Sequence, residues 1–116
     1  MILLDTSAAI ALLRGESPNE AMRNESVGLS SVVEMELWVG VYHGGGEKER
    51  ARVESFLKSV RIFEFDSQAA ERTARVLADL WSIGKPIGDV DSQIAGHALS
   101  LKMPLLSDNA KHFKRV

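Results

Sequence analysis

Three carboxylates stand where a solvated surface does not account for them: Asp5, Glu36 and Asp91. Asp5 closes the apolar run Ile2-Leu3-Leu4. Glu36 is set among Val32, Val33, Met35, Leu37, Trp38 and Val39. Asp91 follows Val90 and precedes Ile94. Carboxylates gathered in one crevice repel one another, and a divalent cation removes that repulsion. Oxygen donors without Cys or His suit Mg²⁺, with Mn²⁺ as a substitute, better than zinc. Such a site serves phosphodiester hydrolysis through a metal-activated water.

Neighbouring acids have plainer explanations. Asp89 reads as the N-cap of a helix, accepting from backbone N–H groups in its first turn. Ser31 and Glu34 match a capping box. Asp5 could also end a strand and cap the next helix, but it is assigned with Glu36 and Asp91 to the site, without local backbone work. His97 is nearly two turns from Asp91 and reads as a packing or hydrogen-bonding residue. Trp38 and Trp81 read as core. Arg14, Lys48, Arg50, Arg52 and Lys85 could hold phosphates at the rim or simply be solvated.

Alternating periodicities place these residues on elements. Residues 2–5, 27–30, 61–65 and 103–107 read as strands. Helices are expected over 8–13, from 31 to about 42, 47–59, 67–83 and 89–101, with a short last one over 109–113. Gly44-Gly45-Gly46 ends the second helix and Gly84 the fourth. Residues 15–25 read as a loop. In the fourth helix Ala70, Ala74, Leu77, Leu80 and Trp81 form the expected buried stripe.

Strands separated by helical crossovers imply an α/β fold, a parallel sheet of about four strands with helices on both faces. Ligands of such sheets bind at the carboxyl ends of the strands. Asp5, Glu36, the Asp89–Asp91 turn and the Ser107-Asp108 step all fall at that rim.

The 116 residues allow one domain, 1–116, and the 45% hydrophobic content can supply its core. Absence of cysteine excludes disulfide frameworks, zinc–thiolate sites and thiol nucleophiles. No apolar run approaches a membrane span or a secretory leader, so a cytoplasmic protein is expected. The formal net charge of −2 is not that of a broadly basic nucleic-acid binder. Nucleic-acid chemistry therefore requires cations at the acidic site.

The motifs resemble the VapC-type PIN domains, the toxin half of VapBC toxin–antitoxin pairs. Leu3-Leu4-Asp5-Thr6-Ser7 resembles their opening strand and first acid. Residues 30–41, Ser-Ser-Val-Val-Glu-Met-Glu-Leu-Trp-Val-Gly-Val, place their second acid on Glu36 rather than Glu34. Lys85-Pro86-Ile87-Gly88-Asp89-Val90-Asp91 with Ile94-Ala95-Gly96-His97-Ala98 places the third on Asp91. Leu105-Leu106-Ser107-Asp108-Asn109 resembles the last strand and its turn. There the family's fourth acid falls on Asn109, with Asp108 one residue early.

The resemblance implies a three-layer PIN-like domain and a Mg²⁺-dependent endoribonuclease acting on RNA such as tRNA or rRNA. It also implies a homodimer and a VapB-like antitoxin whose tail enters the acidic crevice. Asp5, Glu36 and Asp91 are then the catalytic residues, and metal ligands together with Asp108. Thr6, Ser107, Asn109 and Asp89 would support them by hydrogen bonds. The alternative is a catalytically idle PIN domain serving binding or assembly. Phosphoryl transfer with Asp5 as nucleophile ranks last, because the position two residues on is Ser7.

Overall fold

The computed structural model describes residues 1–16, 26–85 and 87–107. Four strands form one sheet: β1 (Ile2–Leu4), β2 (Val27–Ser30), β3 (Arg61–Phe63) and β4 (Leu105–Leu106). Their order is β3-β2-β1-β4, and every pairing is parallel. The helices are α1 (Thr6–Leu13), α2 (Ser31–Gly40), α3 (Gly46–Ser59), α4 (Ser67–Ser82) and α5 (Asp89–Leu101). Among the described residues no helix is long and apolar enough to cross a membrane.

The connections β1→β2 and β2→β3 step in one direction, and β3→β4 returns past β1 to the opposite edge. Right-handed crossovers then put α1, α2 and α3 on one face and α4 and α5 on the other. Leu3 and Leu4 point to opposite faces, and both are 0% exposed. A strand buried on both sides needs no alternation of polar residues, and the Ile2-Leu3-Leu4 run has none. Connections change direction between β1 and β4, so the switch-point crevice opens at the carboxyl ends of those two strands. Asp5 is the residue that follows β1.

The elements match the expected set, with trimmed ends. The strand expected over 61–65 stops at Phe63, and the one over 103–107 contracts to Leu105–Leu106. The second helix does not stop on the glycines. It runs into a π-type turn, Val41–Gly45, in which Gly44 holds φ +101°, and α3 begins at Gly46. The stripe on α4 is displaced by one residue: Ala69, Thr73, Val76 and Leu80 are buried, while Ala70 and Ala74 are exposed and Trp81 is 66% exposed. The helix expected over 109–113 and most of the loop over 15–25 lie outside the described residues.

A cluster of Leu4, Ala8, Leu29, Val33, Leu37, Val53 and Ile94 forms the core. Helices α4 and α5 pack closely because Gly96 meets the Thr73 backbone: a Cβ at 96 would lie 2.6 Å from Thr73 Cα.

Candidate active site

The end of β1 sets the first acid. Asp5 is extended at φ −79° and ψ 179°, and its carboxylate caps α1 by accepting from the Ala8 N–H at 2.8 Å. The same Oδ1 accepts from the Ser7 hydroxyl at 2.9 Å, and Oδ2 accepts from Ser107, the residue after β4. The side chain is 3% exposed. A carboxylate offers about four acceptor positions. Three are taken by these donors, so the buried anion is satisfied and one position remains for a cation. The expectation that Asp5 has no local backbone work is corrected: it caps α1. Replacing Asp5 with Ala should therefore destabilise the fold by about 2 kcal/mol, from the lost cap and the lost acceptor of the Ser7 and Ser107 hydroxyls. Asp5→Asn keeps an oxygen for the cap and should cost less in a denaturant melt.

Thr6 links Asp5 to the second acid. Its hydroxyl donates to Glu36 Oε1 at 2.9 Å, joining α1 to α2 across 30 residues. Glu36 is half-buried, while Met35 and Val39 beside it are 49% and 57% exposed. The apolar run therefore does leave α2 an open face, contrary to the reading that set Glu36 apart.

The cap of α2 is Ser30, accepting from the Val32 N–H at 3.1 Å. The Ser31 hydroxyl instead accepts from the Phe65 N–H, and Glu34 falls one position beyond the capping-box partner. That box does not form.

Asp91 lies half-buried in the first turn of α5, with its Oδ2 over Gly88, 3.9 Å from where a Cβ there would stand. Gly88 takes the N-cap position, without a side-chain cap, and Asp89 is exposed as the first helical residue. The capping role expected for Asp89 is thus corrected, and Asp89→Ala should cost only about 0.5 kcal/mol, the dipole contribution of one exposed first-turn acid. Ser92, fully buried beside Asp91, has a hydroxyl without a hydrogen-bond partner among the described residues. Asp108 and Asn109 lie outside the described residues.

The reading of His97 as a packing or hydrogen-bonding residue holds in the structure. His97 on α5 is 1% exposed and its Nδ1 lies 2.8 Å from Ser30 Oγ, the residue that caps α2. Ser30 Oγ accepts from Val32 and keeps a proton and a second lone pair, so its hydrogen bond with Nδ1 forms in either ring tautomer. Phe65 packs edge-on to the ring at 5.5 Å. Burial holds the His97 pKa below its ordinary value, opposed by the charge of Asp66 and the Glu64 backbone. A depressed histidine pKa means the unfolded chain takes up the proton first. Stability is therefore full above about 6.5 and declines as pH falls below it. Thermal melts of the native chain should show that decline, and His97→Gln should flatten it.

For a divalent cation, the donor set is chemically apt: carboxylates and hydroxyls, all hard oxygen ligands. Among the described residues, no three acids or histidines come close enough to enclose an ion. Mg²⁺ does not require that. It keeps several waters and is commonly held by one or two carboxylates together with substrate phosphate. The residues fit such an open site.

A model of the PIN domain matches residues 2–116. The chain belongs to the PIN-domain family, in its VapC branch. This PIN domain is 32% identical over 119 residues to the tRNA(fMet)-specific endonuclease VapC of Shigella flexneri, spanning 98% of the chain and 90% of that protein. It is 32% identical to Ribonuclease VapC2 of Haemophilus influenzae over 120 residues, again 98% and 90%. Among solved structures it superposes on the DNA-bound VapBC complex of Salmonella typhimurium with a TM-score of 0.86 and 29% identity, covering 99% of this PIN domain and 91% of that chain.

Proposed function

We propose that this PIN domain is a metal-dependent endoribonuclease, the toxin of a VapBC-type pair, with Asp5, Glu36 and Asp91 as its catalytic acids. One observation carries the reading: a buried carboxylate, Asp5, held by three donors with one acceptor position left over, sits at the switch point of the sheet and is tied through Thr6 to Glu36. The ribonuclease names of the VapC relatives support the activity. The Salmonella typhimurium neighbour is a VapBC complex, which supports a VapB-like protein partner.

In this reading Asp5, Glu36 and Asp91 hold Mg²⁺ or Mn²⁺, with Asp108 as a fourth ligand and Asn109 beside it. When bound, the cation supplies charge neutralisation at the scissile phosphate and lowers the pKa of water. The chain's own part is positioning. Ser7, Ser107 and the Ala8 N–H fix the Asp5 carboxylate in one rotamer, and Thr6 does the same for one oxygen of Glu36. Preset acids spare the reorganisation that would otherwise accompany the reaction.

The test is cleavage of RNA with Mg²⁺ or Mn²⁺ against EDTA, with end-group analysis. Products should carry a 5′-phosphate and a 3′-hydroxyl, because attack by water does not use the ribose 2′-OH. A 2′,3′-cyclic phosphate would overturn the mechanism. The second reading, an idle binding module, takes its support from the absence of a three-acid cluster among the described residues. Saturable stabilisation by Mn²⁺ together with cleavage would eliminate it.

A further inference from the structure

Glu36 rides on α2 and Asp91 on α5, so the distance between these two acids depends on how α5 sits against the start of α2. Apolar contact supplies part of that placement, since Ile94 on α5 shares a core cluster with Val33 and Leu37 on α2. Such contacts are non-directional and hold two helices together without fixing their slide or twist. A hydrogen bond is directional. His97 on α5 supplies one, with Nδ1 2.8 Å from Ser30 Oγ, and both side chains are fully buried. Phe65, in the segment between β3 and α4, extends the link. Its ring lies edge-on against the imidazole, and its N–H donates to Ser31 Oγ at 3.0 Å. Ser30, Ser31, Phe65 and His97 thus close a ring of contacts around the N-terminus of α2. The residue before His97, Gly96, lies against the Thr73 backbone of α4. The Gly96-His97 step therefore pins α5 between α4 and α2.

The two acids are equally far along their helices from this pin. Glu36 is six residues beyond Ser30, and Asp91 is six residues before His97, about 9 Å in each case at helical rise. A tilt of about 5° at the pin would move a group that far away by roughly 0.8 Å, more than the about 0.5 Å a preorganised site tolerates. Mg²⁺ is strict in this respect, since it takes near-octahedral oxygens at about 2.1 Å. Resting on the ribonuclease reading above, we propose that the buried His97–Ser30 hydrogen bond is a positioning device. It sets the spacing of Glu36 and Asp91, and through that spacing the affinity of the site for its divalent cation. A leucine would fill the volume of His97 without a polar group to satisfy. The histidine instead specifies one arrangement of α5 on α2, as satisfied buried polar groups do in a core.

The test uses the full chain with His97→Leu, His97→Asn and Ser30→Ala. Binding of Mn²⁺ is read in the cold from the electron paramagnetic resonance of the free ion, and melting curves are run beside it. His97→Leu keeps the volume and loses the hydrogen bond, so Mn²⁺ should bind about tenfold more weakly. RNA cleavage should fall at low Mn²⁺ and return at high Mn²⁺, with KM for RNA unchanged. His97→Asn leaves a cavity and should melt lower, yet its amide can bond Ser30 Oγ, so it should keep the wild-type affinity for Mn²⁺. Metal affinity and stability then run in opposite order, which a space-filling role would not produce. Ser30→Ala should weaken Mn²⁺ as much as His97→Leu, and the two together no further, because both remove one interaction. Should neither His97 variant fold, Ser30→Ala decides alone. Weak Mn²⁺ binding by His97→Asn beside wild-type binding by His97→Leu would overturn the positioning role and leave the nuclease standing. Wild-type affinity in Ser30→Ala would do the same. A wild-type chain that neither binds Mn²⁺ nor cuts RNA would overturn both readings.

Discussion

Exchanging Asp91 for Asn should lower kcat/KM on RNA by on the order of 10²–10³-fold, and Glu36→Gln should do the same. Asp89→Asn should keep most of the activity. On the proposed metal mechanism, the magnitude follows from the several kcal/mol of phosphate-charge stabilisation that the acids would secure through the cation. The contrast between positions 89 and 91 follows from the helix. Asp89 is exposed at the first position of α5, whereas Asp91 is half-buried with its carboxylate turned back over Gly88. Neither Asp91 nor Glu36 caps a helix in the structure, since Gly88 and Ser30 occupy those positions. Their conservative replacements should therefore leave the apo melting temperature nearly unchanged. Mn²⁺ titration followed by melting, beside RNA cleavage, reads both effects. A dead Asp89→Asn and an active Asp91→Asn would move the metal two residues earlier.

Gly96→Ala should cause a large loss of stability for a single added methyl. The new Cβ would lie 2.2 Å from Thr73 Oγ1, 2.6 Å from Thr73 Cα and 2.8 Å from its amide nitrogen. The hydroxyl could rotate away, but the backbone of α4 cannot. The two helices must separate along their whole contact, and overpacking of this kind costs about 1–3 kcal/mol or more. Urea titration should show a lower midpoint with an unchanged m-value. Thr73→Ser together with Gly96→Ala should recover little, because the backbone contacts remain. Full recovery by that double change would mean that only the side chain obstructs.

The same contact explains why the buried face of α4 was misread while its length was not. Caps and glycines mark where the helix runs, but its orientation depends on which residues face α5. The deepest contact there is Thr73 against a glycine, which carries no hydrophobic signal. A shift of one residue turns the helix by about 100° and carries Trp81 outward. The α2 cap was misplaced by one residue for a similar reason. Ser30 and Ser31 both satisfy the local pattern. The choice is made by the Phe65 N–H, 34 residues away, which engages Ser31.

Strands were legible because a doubly buried strand must be an apolar run, and the Ile2-Leu3-Leu4 run with its terminal Asp could hardly be anything else. The terminal Asp of the first strand pointed to Asp5 and the family resemblance pointed to Glu36, and the fold joins the two through Thr6. What spacing could not give was the double duty of Asp5. Its helix cap is local, yet its Ser107 partner is 102 residues distant.

That distance has a temporal meaning. Synthesis runs from the N-terminus at about 5–20 residues per second, so Asp5 leaves the ribosomal active centre roughly 5–20 s before Ser107 is made. During that interval β1 can pair with β2 but not with β4, and Oδ2 of Asp5 lacks its hydroxyl donor. The rim of the sheet closes only when the last described strand docks. On the ribonuclease reading proposed above, a nascent chain would carry an unfinished crevice past the very RNAs that surround it during translation, until Ser107 has been made.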